Sequence, residues 1–272
     1  MKLKRVNSIK DTIFNEDCFI TMNRIKNKSV DIVLTSPPYN TSRNIKTEVA
    51  RKKHWSRYDV FVDTGSHDDY VDWTVNLFNS FDRILKENGV VLYNLNYGTD
   101  GDSVTCDNLI DTIHQLTSGT NFTVADIIVW KKKSALPNNA SPNKCTRIYE
   151  FIFVLCRKSE YKTFKSGKEV KSVSNKGQNF YTGMFNFIEA PNNDGSCNLN
   201  KATFSSDLVI ELLKMYVGDN KSIVYDPFIG TGTTAIGVLR YNDLKKSSIS
   251  FIGSELSAQQ CEFAINRIKS YN

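Results

Sequence analysis

The chain has 272 residues, of which 40 % are hydrophobic and 24 % charged, enough for a sizeable core in one large domain or two small ones. Its net charge of +6 permits nucleic-acid binding without requiring it. Six scattered cysteines with no C-x-x-C pair and no zinc-ligand spacing argue against a disulfide framework and a metal site, and no run approaches the ~18 apolar residues of a membrane span.

Met1 to Lys10 lacks the apolar centre of a secretory signal. With free cysteines, this leads to the expectation of an intracellular, cytoplasmic protein with no membrane partner. Thr12-Ile13-Phe14 reads as a short strand ending at Asn15-Glu16-Asp17-Cys18, followed by a helix from Phe19 to Asn27. Asp31 to Leu34 is a buried-type strand stopped by Pro37-Pro38. Positions 41–63 are polar, aperiodic and basic, and read as a long loop.

Ser66-His67-Asp68-Asp69 is a capping sequence for the next helix, whose apolar positions Tyr70, Trp73, Leu77, Phe81 and Leu85 recur at helical spacing. Asn88-Gly89 should end that helix, with a strand from Val90 to Leu95. A helix fits Asp107 to Leu116. Strands Val124–Trp130 and Glu150–Cys156 are expected to pair antiparallel at a sheet edge, with the basic loop from Lys131 to Arg147 between them. Arg157 to Lys201 is lysine-rich and aperiodic, and reads as an insertion outside the core sheet, with Tyr161, Phe164, Phe180, Tyr181, Phe185 and Phe187 packing a small subdomain.

Regular alternation then resumes. A helix from Ser206 to Tyr216 leads to strand Ser222–Tyr225, a glycine turn, a helix from Thr233 to Arg240, strand Ile249–Ile252, the acid Glu255 and helix Ala258–Ser270. Strands alternating with amphipathic helices predict an α/β fold with a doubly wound, mostly parallel sheet of about seven strands.

Two motifs carry chemistry. Asp226-Pro227-Phe228-Ile229-Gly230-Thr231-Gly232-Thr233-Thr234 places a glycine turn at a strand end, where open α/β sheets bind ligands. It is neither a Walker A loop, having no Lys after the second glycine, nor a full G-x-G-x-x-G, which disfavours phosphate. An acid after the next strand, Glu255, can accept from two ribose hydroxyls. The turn therefore suits an adenosine-containing cofactor, and S-adenosylmethionine (SAM) fits.

Thr35-Ser36-Pro37-Pro38-Tyr39-Asn40 is the second motif. Pro37-Pro38 fixes two φ angles and removes two backbone donors, which leaves the Pro37 carbonyl free to face a pocket. The Ser36 hydroxyl and that carbonyl can accept from an exocyclic amino group, while the Tyr39 ring stacks on a base.

Together these motifs resemble those of the SAM-dependent amino-methyltransferases of DNA, which join (Ser/Asp/Asn)-Pro-Pro-(Tyr/Phe) to Phe-x-Gly-x-Gly. The catalytic motif comes first here, as in the circularly permuted β group. The resemblance implies a class I methyltransferase fold. Ser36, Pro37, Pro38 and Tyr39 are then catalytic. Asp17, Cys18, Asp226, Pro227, Phe228, Gly230, Gly232, Thr233, Thr234 and Glu255 bind the cofactor, as do Thr203, Phe204 and Ser205, where the family's His-Pro-Ala-x-Phe-Pro stretch reads Asn200-Lys201-Ala202-Thr203-Phe204-Ser205. It also implies a division into a catalytic half (1–156), a target-recognition insertion (157–201) and a SAM-binding half (202–272).

The expected substrate is double-stranded DNA, with the target base flipped out, and cytosine N4 is favoured over adenine N6 because family members with Ser first most often methylate cytosine. Arg43, Lys52, Lys53, Lys131, Lys132, Lys133 and Arg147 are candidate DNA contacts. A homodimer and a cognate restriction endonuclease are compatible partners. RNA or protein-glutamine methylation is a competing reading, but such enzymes usually place Asn first and the cofactor motif upstream. A DNA-binding protein without turnover is the other competitor.

Overall fold

A computed structural model describes residues 9–40, 66–97, 106–135, 137–139, 142–164, 166–195, 199 and 203–271. The strands are β1 Thr12–Asn15, β2 Val30–Thr35, β3 Leu85–Leu95, β4 Phe122–Lys132, β5 Tyr149–Arg157, β6 Val170–Val173, β7 Asn179–Tyr181, β8 Phe187–Ala190, β9 Ile223–Asp226 and β10 Ser250–Glu255. The helices are α1 Cys18–Arg24, α2 His67–Ile84, α3 Cys106–Gly119, α4 Ser206–Tyr216, α5 Thr233–Lys245 and α6 Ala258–Tyr271.

Eight strands form one sheet in the order β1-β10-β9-β2-β3-β5-β4-β8, and β6 and β7 form a separate hairpin. Only β5 runs against its neighbours; the other pairings in the large sheet are parallel. Apolar side chains alternate between the two faces. Val90 and Leu92 of β3 join the core under α4, α5 and α6, while Val91, Tyr93 and Leu95 join the core under α1, α2 and α3. On that second face Phe78 meets Phe81, Tyr93 and Phe122 edge-on at 5.1, 5.1 and 5.3 Å between ring centroids. Each such pair contributes about 0.5–1.5 kcal/mol beyond its buried area.

The doubly wound α/β expectation holds, with three differences of detail. The sheet has eight strands, because β8, inside the stretch read as an insertion, pairs with β4 from Val129↔Phe187 to Lys132↔Ala190. The antiparallel pair β4–β5 is therefore interior, with β8 taking the edge. Helix α2 stops at Ile84, four residues before Asn88, and Leu85 already pairs with Val30. Asn88 instead makes a left-handed turn (φ 58°) within β3. The stop comes from a distant residue. The Arg157 guanidinium donates to the carbonyls of Asp82, Leu85 and Lys86 at 2.7, 2.9 and 2.9 Å, satisfying groups a helix end leaves open.

The start of α2 is as read. The Ser66 hydroxyl oxygen caps it by accepting from the Asp69 N–H at 3.1 Å. Among the described residues of 157–201, the aromatics pack no small subdomain. Phe164 packs against the core, whereas Tyr161, Phe180, Tyr181, Phe185 and Phe187 are exposed. No helix among the described residues is long and apolar enough to cross a membrane.

Candidate functional site

The sheet order places the two motifs side by side. β2 lies between β9 and β3, and the chain winds outward from the β2–β9 junction in both directions. The carboxyl ends of β2 and β9, at a strand-order reversal, are where doubly wound sheets form ligand clefts. Ser36 follows β2 and Pro227 follows β9, so a motif from each end of the sequence reaches the same edge.

Asp226 joins the two halves. Its carboxylate accepts from the Thr35 hydroxyl at 2.7 Å, from the Phe228 N–H at 3.0 Å and from the Thr234 hydroxyl. Strand β2, strand β9 and helix α5 are thus held by one buried carboxylate. Burial pushes its pKa from 3.8 up to about 6, against the opposing pull of Thr234, Thr35 and the Phe228 N–H. A raised folded-state pKa contributes stability that is complete below the unfolded value and lost as pH rises through the folded one. Asp226→Asn should therefore gain ground on the unsubstituted protein between pH 4 and pH 7, by on the order of 2 kcal/mol. Urea unfolding of both proteins across that range checks it; a constant difference would contradict it.

The glycine turn owes its shape to two left-handed residues, Gly230 (φ 53°) and Gly232 (φ 85°). Their tasks differ. The Gly230 N–H donates to the Glu255 carboxylate at 2.9 Å. Gly232 caps α5 where a Cβ would stand 2.9 Å from the Ala264 Cβ of α6, so only glycine fits. Glu255 also accepts from the Ser257 N–H at 2.8 Å through its other oxygen. The two contacts fix both carboxylate oxygens at the edge of the glycine turn.

A cleft lies between these elements. It is lined by Asp17, Cys18, Ser36, Pro38, Thr203, Phe204, Pro227, Phe228, Gly230, Thr233 and Glu255, all expected from sequence. Glu16, Trp73, Ile229, Leu256 and Gln260 complete the lining without having been expected. Asp17 also caps α1, accepting from the Phe19 N–H at 2.8 Å. Burial, with Asp17 adding to it, pushes the Cys18 thiol up to about 12, so it lines the cleft as a neutral group. Among the described lining residues there are three acids and no Lys or Arg. Glu16 is paired with Arg24 at 2.6 Å, and the negative charge left at Asp17 and Glu255 suits a cationic ligand better than a pyrophosphate.

Trp73 would have been hard to find, because its helical spacing equally fits a core position. In the structure its ring lies 5.6 Å from Phe228 and 5.8 Å from Tyr70, forming an aromatic wall across the cleft. The Tyr70 hydroxyl donates to the Pro38 carbonyl at 2.9 Å and holds the Pro-Pro corner.

Pro37, Tyr39, Ser205, Asp226, Gly232 and Thr234 are not part of the lining. Ser205 caps α4, accepting from Leu208. Tyr39 is half-buried, and its hydroxyl lies 2.9 Å from Ser36 Oγ, 2.9 Å from Asn94 Oδ1 and 3.3 Å from Glu150 Oε2.

Of the candidate DNA contacts, Arg43, Lys52 and Lys53 lie outside the described residues. Lys131 pairs with Glu189 at 2.7 Å, and Lys132 pairs with Glu150. Arg147 sits 5.0 Å over the Tyr97 ring and donates to the Tyr97 carbonyl. Lys133 borders a shallow groove with Glu189 and Arg240. Among the described residues no group of three or more His, Cys, Asp or Glu is placed to hold a metal.

The chain is similar to known DNA methylases. A family model described as DNA methylase (N6/N4 type) matches residues 30–266. The orphan methyltransferase M.BamHII of Bacillus amyloliquefaciens is 24 % identical over 271 residues, covering 89 % of this chain and 90 % of its own length. The DNA adenine methyltransferase YhdJ of Escherichia coli (strain K12) is 21 % identical over 274 residues, covering 94 % and 82 %. Among solved structures, the cytosine-N4-specific PvuII DNA methyltransferase matches with a TM-score of 0.68 at 15 % identity, over 94 % of this chain and 85 % of that one. A SAM complex of M1.HpyAVI matches with a TM-score of 0.56 at 17 % identity, over 94 % and 98 %. At these identities the structural likeness is one of fold.

Proposed function

The chain belongs to the DNA methylase family of N6/N4 amino-methyltransferases, and on that premise we propose that it transfers a methyl group from SAM to the exocyclic amino group of a base flipped out of duplex DNA, with cytosine N4 the preferred acceptor. The observation that carries this reading is the adjacency of β2 and β9, which brings Ser36, Gly230 and Glu255 to one cleft.

The residues fit the cofactor. Glu255, which lines the cleft beside the glycine turn, would accept from the ribose hydroxyls. The strand end at Asp17 and Cys18 meets the adenine, with Leu256 and Phe228 as apolar walls. The acidic lining suits a cationic ligand and counts against a phosphate-bearing one. Bound there, SAM supplies an electrophilic sulfonium methyl.

Ser36 and the Pro37 carbonyl accept the two amino hydrogens and so aim the nitrogen lone pair. Tyr39 stacks on the base, and its tethered hydroxyl keeps the ring from swinging. Trp73 and Phe228 shield the cleft from water. Catalysis rests on positioning and fixed dipoles, with no enzyme nucleophile. Flipping costs a few kcal/mol, offset by stacking and edge hydrogen bonds.

Duplex DNA meets the face that carries the β6–β7 hairpin. There the exposed Phe180 and Tyr181 stand among the exposed Lys168, Lys171 and Lys176, an arrangement suited to backbone phosphates and base contacts. Residues 157–201 are the target-recognition segment in this reading. Adenine N6 is the second reading, favoured by the likeness to a DNA adenine methyltransferase. Digesting methylated DNA to nucleosides and identifying the product by mass and retention separates the two. N4-methylcytosine is expected, and N6-methyladenine would overturn the preference for cytosine.

A further inference from the structure

Glu150 lies near the start of β5, outside the cleft lining, yet its carboxylate is connected to Ser36. One oxygen pairs with the Lys132 ammonium, which also sits 5.0 Å over the Trp130 ring. The other lies 3.3 Å from the Tyr39 hydroxyl. The same hydroxyl meets Asn94 Oδ1 at 2.9 Å and Ser36 Oγ at 2.9 Å. The Asn94 amide nitrogen donates to the Phe151 carbonyl at 3.0 Å, which fixes its oxygen as the atom turned to Tyr39.

Direction follows from the donor inventory. The Asn94 oxygen and an ionised carboxylate only accept. Tyr39 has one hydroxyl hydrogen, and the two acceptors draw it toward β3 and β5. The Tyr39 oxygen must then accept from Ser36. The Ser36 hydrogen is thereby committed, and its oxygen lone pairs remain for the substrate. Linked hydrogen bonds of one sense also polarise each other, making that oxygen a better acceptor.

We propose that Asn94 and Glu150, the latter anchored by Lys132, are positioning residues that lock the Ser36 hydroxyl as a hydrogen-bond acceptor, so that the site takes bases presenting an amino group and rejects those presenting a carbonyl at the same edge. A freely rotating serine would serve either. The inference rests on the proposed methyl transfer and adds the source of its selectivity for amino groups.

The test is a double-mutant cycle on the full chain with SAM and duplex DNA. Glu150→Gln offers an amide that can donate toward Tyr39. It should lower kcat about tenfold, with KM for DNA and SAM affinity by calorimetry unchanged. In a Tyr39→Phe background, which keeps the ring and removes the hydroxyl, Glu150→Gln should add less than about twofold. Should Glu150→Gln fail to fold by thermal melting, Lys132→Gln replaces it; a smaller kcat loss is expected, again absorbed by Tyr39→Phe. An equal effect of Glu150→Gln with and without the Tyr39 hydroxyl would overturn the inference, as would a loss confined to KM for DNA. Full wild-type methylation with an unimpaired Glu150→Gln refutes this inference alone, whereas an unsubstituted protein that methylates no DNA refutes the function and the inference together.

Discussion

Ser36→Ala is expected to lower kcat roughly 100-fold, the scale on which losing one fixed polar group at a reacting centre is felt, while SAM binds as before. The hydroxyl borders the cleft, but its partner in the structure is Tyr39, not the glycine turn. The contacts proposed for the cofactor lie at Gly230, Glu255 and the end of β1, and alanine alters none of them. Isothermal calorimetry with SAM and single-turnover methylation separate the two effects. Equal loss of SAM affinity and turnover would show that Ser36 holds the cofactor.

Gly230→Val is expected to produce the opposite split, a loss of SAM affinity on the order of 100-fold or more from strain and a displaced acid together. Gly230 sits at φ 53°, a conformation that β-branched residues rarely adopt. Its N–H fixes one oxygen of Glu255, so distorting the turn also moves the acid proposed to hold the ribose. Gly232→Val would be the less informative experiment, because its Cβ would collide with α6 and unsettle the fold itself. Unaltered SAM affinity in Gly230→Val would remove the cofactor from this pocket.

Much of the site is legible in sequence because its parts are local. The glycine turn, the Pro-Pro corner and the Ser66 cap each declare themselves within a few residues, since turn and cap geometry depends on neighbours in the chain. Strand and helix periodicity likewise places Val91, Tyr93, Leu77 and Phe81 in the interior. Long-range partners are silent in sequence. Arg157 ends α2 from the far end of β5, and Glu150 reaches Tyr39 across β3. Periodicity says which side chain is inside, not what stands opposite.

The short strand β8 escaped notice for a related reason. Its four residues alternate exposed and buried, a pattern too brief to stand out in a lysine-rich stretch until β4 is placed beside it. Lysine runs hide their partners similarly. Lys131 and Lys132 read as DNA contacts by charge alone, but each has a carboxylate partner.

One cleft, built from motifs at opposite ends of the chain, is proposed to move a methyl group onto an amino nitrogen of DNA. The most direct measurement is incubation of the protein with methyl-tritiated SAM and duplex DNA, followed by digestion to nucleosides and location of the label. Label is expected on the exocyclic nitrogen of cytosine or adenine. Label on a ring carbon, or none in DNA, would contradict it.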